Sequence, residues 1–129
     1  MKKSIVHVDD DPDIRTLVMT ILLNEGFEVQ SFSTMEYLTK NLERNQPDLI
    51  ILDVMVEKED SGLIAYDEIS KKYPRIPIVI LTTLGEMILS YFEEKKEMIC
   101  ILEKPILPEK LIAVVRSRLQ TSDPDTKRE

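Results

Sequence analysis

Residues 48–53 read Asp48-Leu49-Ile50-Ile51-Leu52-Asp53, an apolar run closed at each end by an aspartate. Four consecutive apolar side chains leave no polar face, so both sides of this segment must be buried. That is the pattern of a central strand in a parallel sheet covered by helices on both faces. Ile78-Val79-Ile80-Leu81, ending in Thr82, repeats it. Outward from these two segments, strand and helix signals alternate along the chain. Ser4 to Val8 is short and β-branched, Phe27 to Phe32 reads as a strand, and Met98 to Leu102 supplies a fifth.

Between the strands the apolar spacing becomes helical. Ile14, Leu17, Val18, Ile21 and Leu22 follow the i, i+3, i+4, i+7, i+8 stripe of a one-sided helix. Asp11 can cap its first amides, Pro12 fits its first position and Gly26 can close it. Met35 to Leu42 reads as a second helix behind a Ser33 or Thr34 cap, and Leu63 to Tyr73 as a third. Pro74 and Pro77 bracket the turn into the fourth strand, Gly85 to Glu94 is the fourth helix and Pro108 to Leu119 the fifth. Five βα units predict an α/β fold, a doubly wound five-stranded parallel sheet with five helices. In such sheets ligands sit beyond the carboxyl ends of the strands.

The chain has 129 residues, the size of one domain. With 24 acidic against 17 basic side chains and a net charge of -7, it argues against direct nucleic-acid binding. Contacts with phosphate backbones need clustered Lys and Arg. A single cysteine, Cys100, excludes an internal disulfide and a thiolate cluster. No apolar run approaches the roughly 20 residues of a membrane span. Met1-Lys2-Lys3 resembles the head of a signal peptide, but Asp9, Asp10 and Asp11 interrupt the stretch behind it. The expectation is a soluble cytoplasmic domain over residues 1–120. From Gln120 onward no apolar residue remains to bury, so residues 121–129 read as a flexible tail.

Attention therefore falls on the strand ends. The first strand runs into Asp9-Asp10, the third ends in Asp53, the fourth in Thr82-Thr83, and the fifth runs into Glu103-Lys104-Pro105. Singly, each has an ordinary explanation as a solvated acid, a helix cap or a turn. Jointly they place three carboxylates, a hydroxyl and an ammonium at one edge if the strands lie side by side. Two carboxylates about 4 Å apart repel by roughly 4 kcal/mol at an effective dielectric of about 20. Folding does not reward such crowding, and Lys104 alone cannot neutralise three charges. An oxygen-only donor set selects a hard divalent cation, and a shallow site that keeps its waters suits Mg²⁺. Asp53 would then be a candidate nucleophile toward phosphorus, with Thr82 and Lys104 on the phosphoryl oxygens.

These residues in this order resemble the receiver domain of two-component response regulators. The resemblance covers residues 3 to 119 through Val8-Asp9-Asp10-Asp11-Pro12-Asp13-Ile14-Arg15, Pro47-Asp48-Leu49-Ile50-Ile51-Leu52-Asp53, Ile78-Val79-Ile80-Leu81-Thr82 and Glu103-Lys104-Pro105. It implies a flavodoxin-like fold with strand order 2-1-3-4-5. It implies Asp53 as phosphoacceptor, Asp10 as a direct Mg²⁺ ligand, Asp9 acting mainly through water, and the backbone carbonyl of Met55 as a further ligand. Thr82 matches the switch hydroxyl and Lys104 the phosphate-binding lysine. The implied phosphodonor is a histidine on a sensor histidine kinase or a histidine phosphotransfer protein. Output would pass to a downstream effector through the face of the fourth helix, fifth strand and fifth helix, with a homodimer among the associations implied. An alternative is a haloacid-dehalogenase-like, Mg²⁺-dependent phosphatase, since Asp9-Asp10-Asp11 contains an Asp-x-Asp after the first strand. Position 13 is Asp where that motif usually has Thr or Val, and no cap insertion is visible. A flavin mononucleotide module fits less well, because three aspartates would face its phosphate.

Several positions depart from the receiver pattern. Glu57 stands where a proline is usual, the loop to Gly62 is one residue longer, Ile101 replaces an aromatic residue, and Thr83 replaces a smaller one. Met55 and Leu84, two residues past Asp53 and Thr82, are apolar and cannot orient an attacking water, which predicts a long-lived acyl phosphate. His7, mid-strand and without a partner ligand, reads as structural, and Cys100 as a small core residue. The stripe Leu84, Met87, Ile88, Tyr91, Phe92 serves either core burial or a partner surface.

Overall fold

The apolar strands and one-sided helices assemble as their patterns require. The computed structural model describes residues 2–54, 61–83, 88 and 100–122, with the side chains of 61, 121 and 122 excepted. The strands are Ser4–Val8 (β1), Glu28–Phe32 (β2), Leu49–Asp53 (β3), Ile78–Thr82 (β4) and Cys100–Glu103 (β5). The helices are Pro12–Asn24 (α1), Met35–Arg44 (α2), Ser61–Lys72 (α3) and Pro108–Ser122 (α4). All strands are parallel, in the order β2-β1-β3-β4-β5. His7 pairs with Ile51, Asp53 with Leu81 and Thr82 with Glu103.

Strand alternation sorts the core into two layers. Val6, Val8, Ile50, Leu52 and Ile80 meet Leu38 and Leu42 of α2 and Leu63 and Ile69 of α3. On the opposite face Ile5, Ile51, Val79, Leu81 and Leu102 meet Val18, Ile21 and Leu22 of α1 and Leu111, Val115 and Leu119 of α4. Each fully buried large side chain contributes roughly 1.5–3 kcal/mol, and β3 is buried on both sides, as its composition demands.

Asp11 caps α1 by accepting from the Asp13 amide, and Thr34 rather than Ser33 caps α2. Gly26 ends α1 at a φ of +89°, a left-handed conformation that favours glycine, with its amide donating to the Leu23 carbonyl.

Some expectations need correction. Leu17 is 39% exposed, because at 100° per residue it lies roughly 90° from the centre of Val18, Ile21 and Leu22. β2 starts at Glu28, one residue later than the spacing suggests, and as an edge strand it is only half-buried. α2 continues to Arg44, α3 starts at Ser61, and α4 reaches Ser122, two residues into the expected tail. Polar helix ends carry no apolar periodicity, so the stripe stops before the helix does. Cys100 is only partly buried, against the α1–α4 layer. Four helices, not five, are found among the described residues. The expected helix over 85–94 lies outside them apart from Ile88, which is helical and buried in the α2–α3 layer. Residues 123–129 lie outside them as well. Among the described residues no helix is long and apolar enough to cross a membrane.

His7 is wholly buried in β1, with Nδ1 3.3 Å from the hydroxyl of its neighbour Ser31. Burial pushes its pKa from 6.5 down to about 4; Asp9 opposes this, and Lys104 and Arg15 reinforce it. The unfolded chain therefore takes up this proton near pH 6.5 and the folded chain only near 4. Stability from this group is complete above 6.5 and drains away as pH falls through the window, to a total of about 3 kcal/mol. His7→Val should remove that part of the acid sensitivity. Melting curves between pH 7 and pH 4 should show a smaller loss for the variant than for wild type, and parallel losses would refute the assignment.

Candidate functional site

The carboxyl ends of β1, β3, β4 and β5 meet next to the place where strand order reverses between β1 and β3. Asp9 follows β1, and its amide continues the ladder by donating to the Phe32 carbonyl at 3.0 Å. Its side chain is buried. Oδ1 accepts from the Asp11 amide at 3.0 Å and Oδ2 from Lys104 Nζ at 3.2 Å. Arg15, in the first turns of α1, donates to the Asp9 carbonyl at 2.7 Å. Asp10, next in the chain, is exposed.

Asp53 closes β3, and its Oδ1 accepts from Lys104 Nζ at 2.9 Å. Lys104 is placed by its own backbone, whose amide donates to the Thr82 carbonyl at 2.8 Å and so extends β5 along β4. The following Lys104–Pro105 peptide is cis. Thr82 is buried and follows Leu81, the register partner of Asp53. Gly62, at the start of α3, abuts the strand end: a Cβ there would stand 3.0 Å from the Asp53 carbonyl oxygen and from Val54 Cγ2. The close approach of α3 to Asp53 requires a residue without a side chain.

The structure thus brings Asp9, Asp10, Asp53 and Lys104 together and sets Thr82 at the adjacent strand end. One carboxylate oxygen from each of Asp9, Asp10 and Asp53 lies within 4.8 Å of the others. Burial raises the Asp53 pKa, and Asp9 and Asp10 add to the rise while Lys104 opposes it. For Lys104 burial acts downward, yet the hydrogen bond and charge of Asp53, with Asp9 behind them, prevail and its pKa is raised. Lys104 is therefore an ammonium, a single cation shared by two of the three acidic side chains. Only oxygens are offered, so the donor set fits a hard divalent cation. Met55, Glu57 and Leu84 lie outside the described residues. Thr83 is exposed, and Ile101 is half-buried against the α2–α3 layer.

Three contributors escaped the sequence reading. Arg15 reaches back six residues to the Asp9 carbonyl, a spacing with no pattern of its own. Gly62 meets Asp53 only through the fold. His7, whose Nε2 lies 3.8 Å from Asp9 Oδ2, did leave a signal, since residues two apart on a strand share a face.

A raised pKa has a consequence for stability. The folded chain binds the Asp53 proton more tightly than the unfolded chain, so ionising this group costs stability as pH climbs above 3.8. Asp53→Asn removes that cost while keeping a hydrogen-bond acceptor for Lys104. In metal-free buffer at pH 7 the variant should melt a few degrees higher than wild type. A lower melting temperature would contradict the crowded-carboxylate picture.

Comparison with known proteins agrees with this geometry. The family model of the response regulator receiver domain matches residues 5–116. The alkaline phosphatase synthesis transcriptional regulatory protein PhoP of Bacillus subtilis is 32% identical over 123 residues, covering 95% of this chain and 51% of that protein. The nitrogen assimilation regulatory protein NtrX of Azorhizobium caulinodans is 28% identical over 122 residues, covering 94% of this chain and 27% of that protein. The crystal structure of the receiver domain of NtrX from Brucella abortus superposes with a TM-score of 0.79 at 30% identity, over 91% of this chain and 98% of that one. The chain thus spans about a quarter to a half of the curated relatives it matches. The match decides against the haloacid-dehalogenase-like alternative. This chain belongs to the response regulator receiver domains, the phospho-accepting signalling modules of two-component systems.

Proposed function

We propose that Asp53 is the phosphoacceptor of this receiver and that Asp9, Asp10 and Asp53, with the backbone carbonyl of Met55, hold Mg²⁺. The observation that carries the reading is the Lys104 ammonium, 2.9 Å from Asp53 and 3.2 Å from Asp9 at the rim of the sheet. It stands where a phosphoryl group on Asp53 would need a positive partner. Bound Mg²⁺ would supply charge neutralisation for the carboxylates and for the transferring phosphoryl oxygens. The chain's own residues do the rest. An Asp53 oxygen attacks phosphorus, the bond from phosphorus to the donor histidine breaks, and the imidazole leaves. Lys104 and the Thr82 hydroxyl take phosphoryl oxygens as charge develops.

The donor is a sensor histidine kinase or a histidine phosphotransfer protein, and the setting is cytoplasmic. The receiver promotes only its own phosphorylation and dephosphorylation. Output passes to a downstream effector, or to a second copy of the chain, through the segment 85–94 together with β5 and α4, without direct nucleic-acid binding. With Ile101 at the usual aromatic position, the switch relies on Thr82 rather than on a ring rotation. The receiver that carries this function extends at least to the end of α4 at Ser122, two residues past the boundary expected from the sequence.

Incubation with Mg²⁺ and a small acyl phosphate tests the core of the reading by intact mass. Wild type should gain one phosphoryl group, and Asp53→Asn, or wild type with chelator, none. No gain by wild type, or a label on Asp9, would overturn it. The apolar Met55 and Leu84 lead to a second expectation. The double variant Met55→Asn, Leu84→Glu should lose its phosphoryl group about tenfold faster, short of the ~10²-fold or more of a well-placed general base. An unchanged or slower loss would show that these positions do not govern the lifetime.

A further inference from the structure

His7 is the single histidine of the chain and shares a face of β1 with Asp9. Its ring is wholly buried, yet Nε2 has no hydrogen-bond partner. Buried polar atoms are nearly always paired, so an orphan beside a charged group calls for an explanation. Nε2 stands 3.8 Å from Asp9 Oδ2, beyond hydrogen-bonding reach. The other ring nitrogen, Nδ1, lies 3.3 Å from Ser31 Oγ.

The neutral imidazole carries one proton, and its surroundings choose the nitrogen. A proton on Nδ1 would aim the Nε2 lone pair at a carboxylate. A proton on Nε2 turns the positive end of the ring toward Asp9 and lets the Ser31 hydroxyl donate to Nδ1. Electrostatics favours the second arrangement, which leaves a donor waiting beside Asp9.

Asp9 Oδ2 is at present served by Lys104, which also serves Asp53. A phosphoryl group on Asp53 draws the ammonium toward itself and takes a donor from a buried carboxylate oxygen. Leaving such an oxygen unserved is expensive. We propose that His7 is a positioning residue whose Nε2–H takes over Asp9 Oδ2 when Lys104 turns to the phosphoryl group. Asp9 then keeps its orientation toward the cation while the lysine is engaged elsewhere. The proposal rests on the reading of Asp9 and Asp53 given above. A histidine that merely filled the sheet would be replaceable by valine without effect on the site.

A lone histidine makes the test direct, because ¹⁵N-histidine labelling reports one pair of ring nitrogens. The spectrum should show the Nε2–H form, with its proton resonance moving downfield when Mg²⁺ and beryllofluoride, a phosphoryl mimic, are added. A proton on Nδ1, or an unmoved resonance, would overturn the proposal. Mg²⁺ affinity of the full chain, measured by calorimetry in beryllofluoride, gives an independent readout. His7→Gln, whose amide nitrogen can replace Nε2, should stay within about threefold of wild type, while His7→Asn and His7→Val should bind about tenfold more weakly. Equal affinity in all four proteins would also overturn it, and if the asparagine variant fails to fold the glutamine–valine comparison stands. Wild type that binds Mg²⁺ with a silent His7 refutes this inference alone. Wild type that binds no Mg²⁺ refutes the metal-site reading and the inference with it.

Discussion

Like-charge crowding at the rim of the sheet is the constraint around which this molecule is built. Asp9, Asp10 and Asp53 come within 4.8 Å of one another, and Lys104 is shared by two of them. Like charges at such separations repel, and Lys104 offsets only part of that repulsion. The strands behind it supply the opposing force. Leu49, Ile50, Ile51 and Leu52 are all fully buried, and each contributes roughly 1.5–3 kcal/mol. Together with the rest of the two core layers, this burial holds the acids in an arrangement they would not choose. The lysine is tied into the same scaffold through its amide on Thr82, so the neutralising charge is as firmly placed as those it neutralises.

The central strands were the most legible part of the fold. A run apolar on both faces has one stable home, and β1, β3 and β4 carry the ends their composition suggests. Legibility falls toward the periphery, where tertiary packing rather than pattern decides. Leu17 fits a helical stripe yet sits at its margin, and the polar ends of α2 and α4 continue past their last apolar turn. The order of the strands is a different matter. Nothing in the alternation of strand and helix says which neighbours pair, and the order came through resemblance of the four motifs to a known family.

The site divides in the same way. Residues that end strands can be named from the chain, since a parallel sheet gathers its carboxyl ends at one edge, and Asp9, Asp53 and Lys104 are found there in contact. Partners that act through the backbone cannot be so named. Arg15 grips a carbonyl and Gly62 makes room for one, and in both the contact depends on where α1 and α3 begin. The alternation that pairs His7 with Asp9 was present all along, but a lone buried histidine looks like filling until its unpaired nitrogen is seen.

The two-layered core has a further consequence for how news of a chemical event can travel. By strand alternation Asp9, Asp53 and Lys104 belong with Ile5, Ile51 and Leu102 on the α1–α4 side. Thr82 belongs with Ile80, on the side that holds Ile88 and Ile101. The sheet therefore separates the acidic cluster from the layer containing Ile88. Thr82 stands at its lip, with its carbonyl tied to the lysine on one side and, by strand alternation, its side chain on the other.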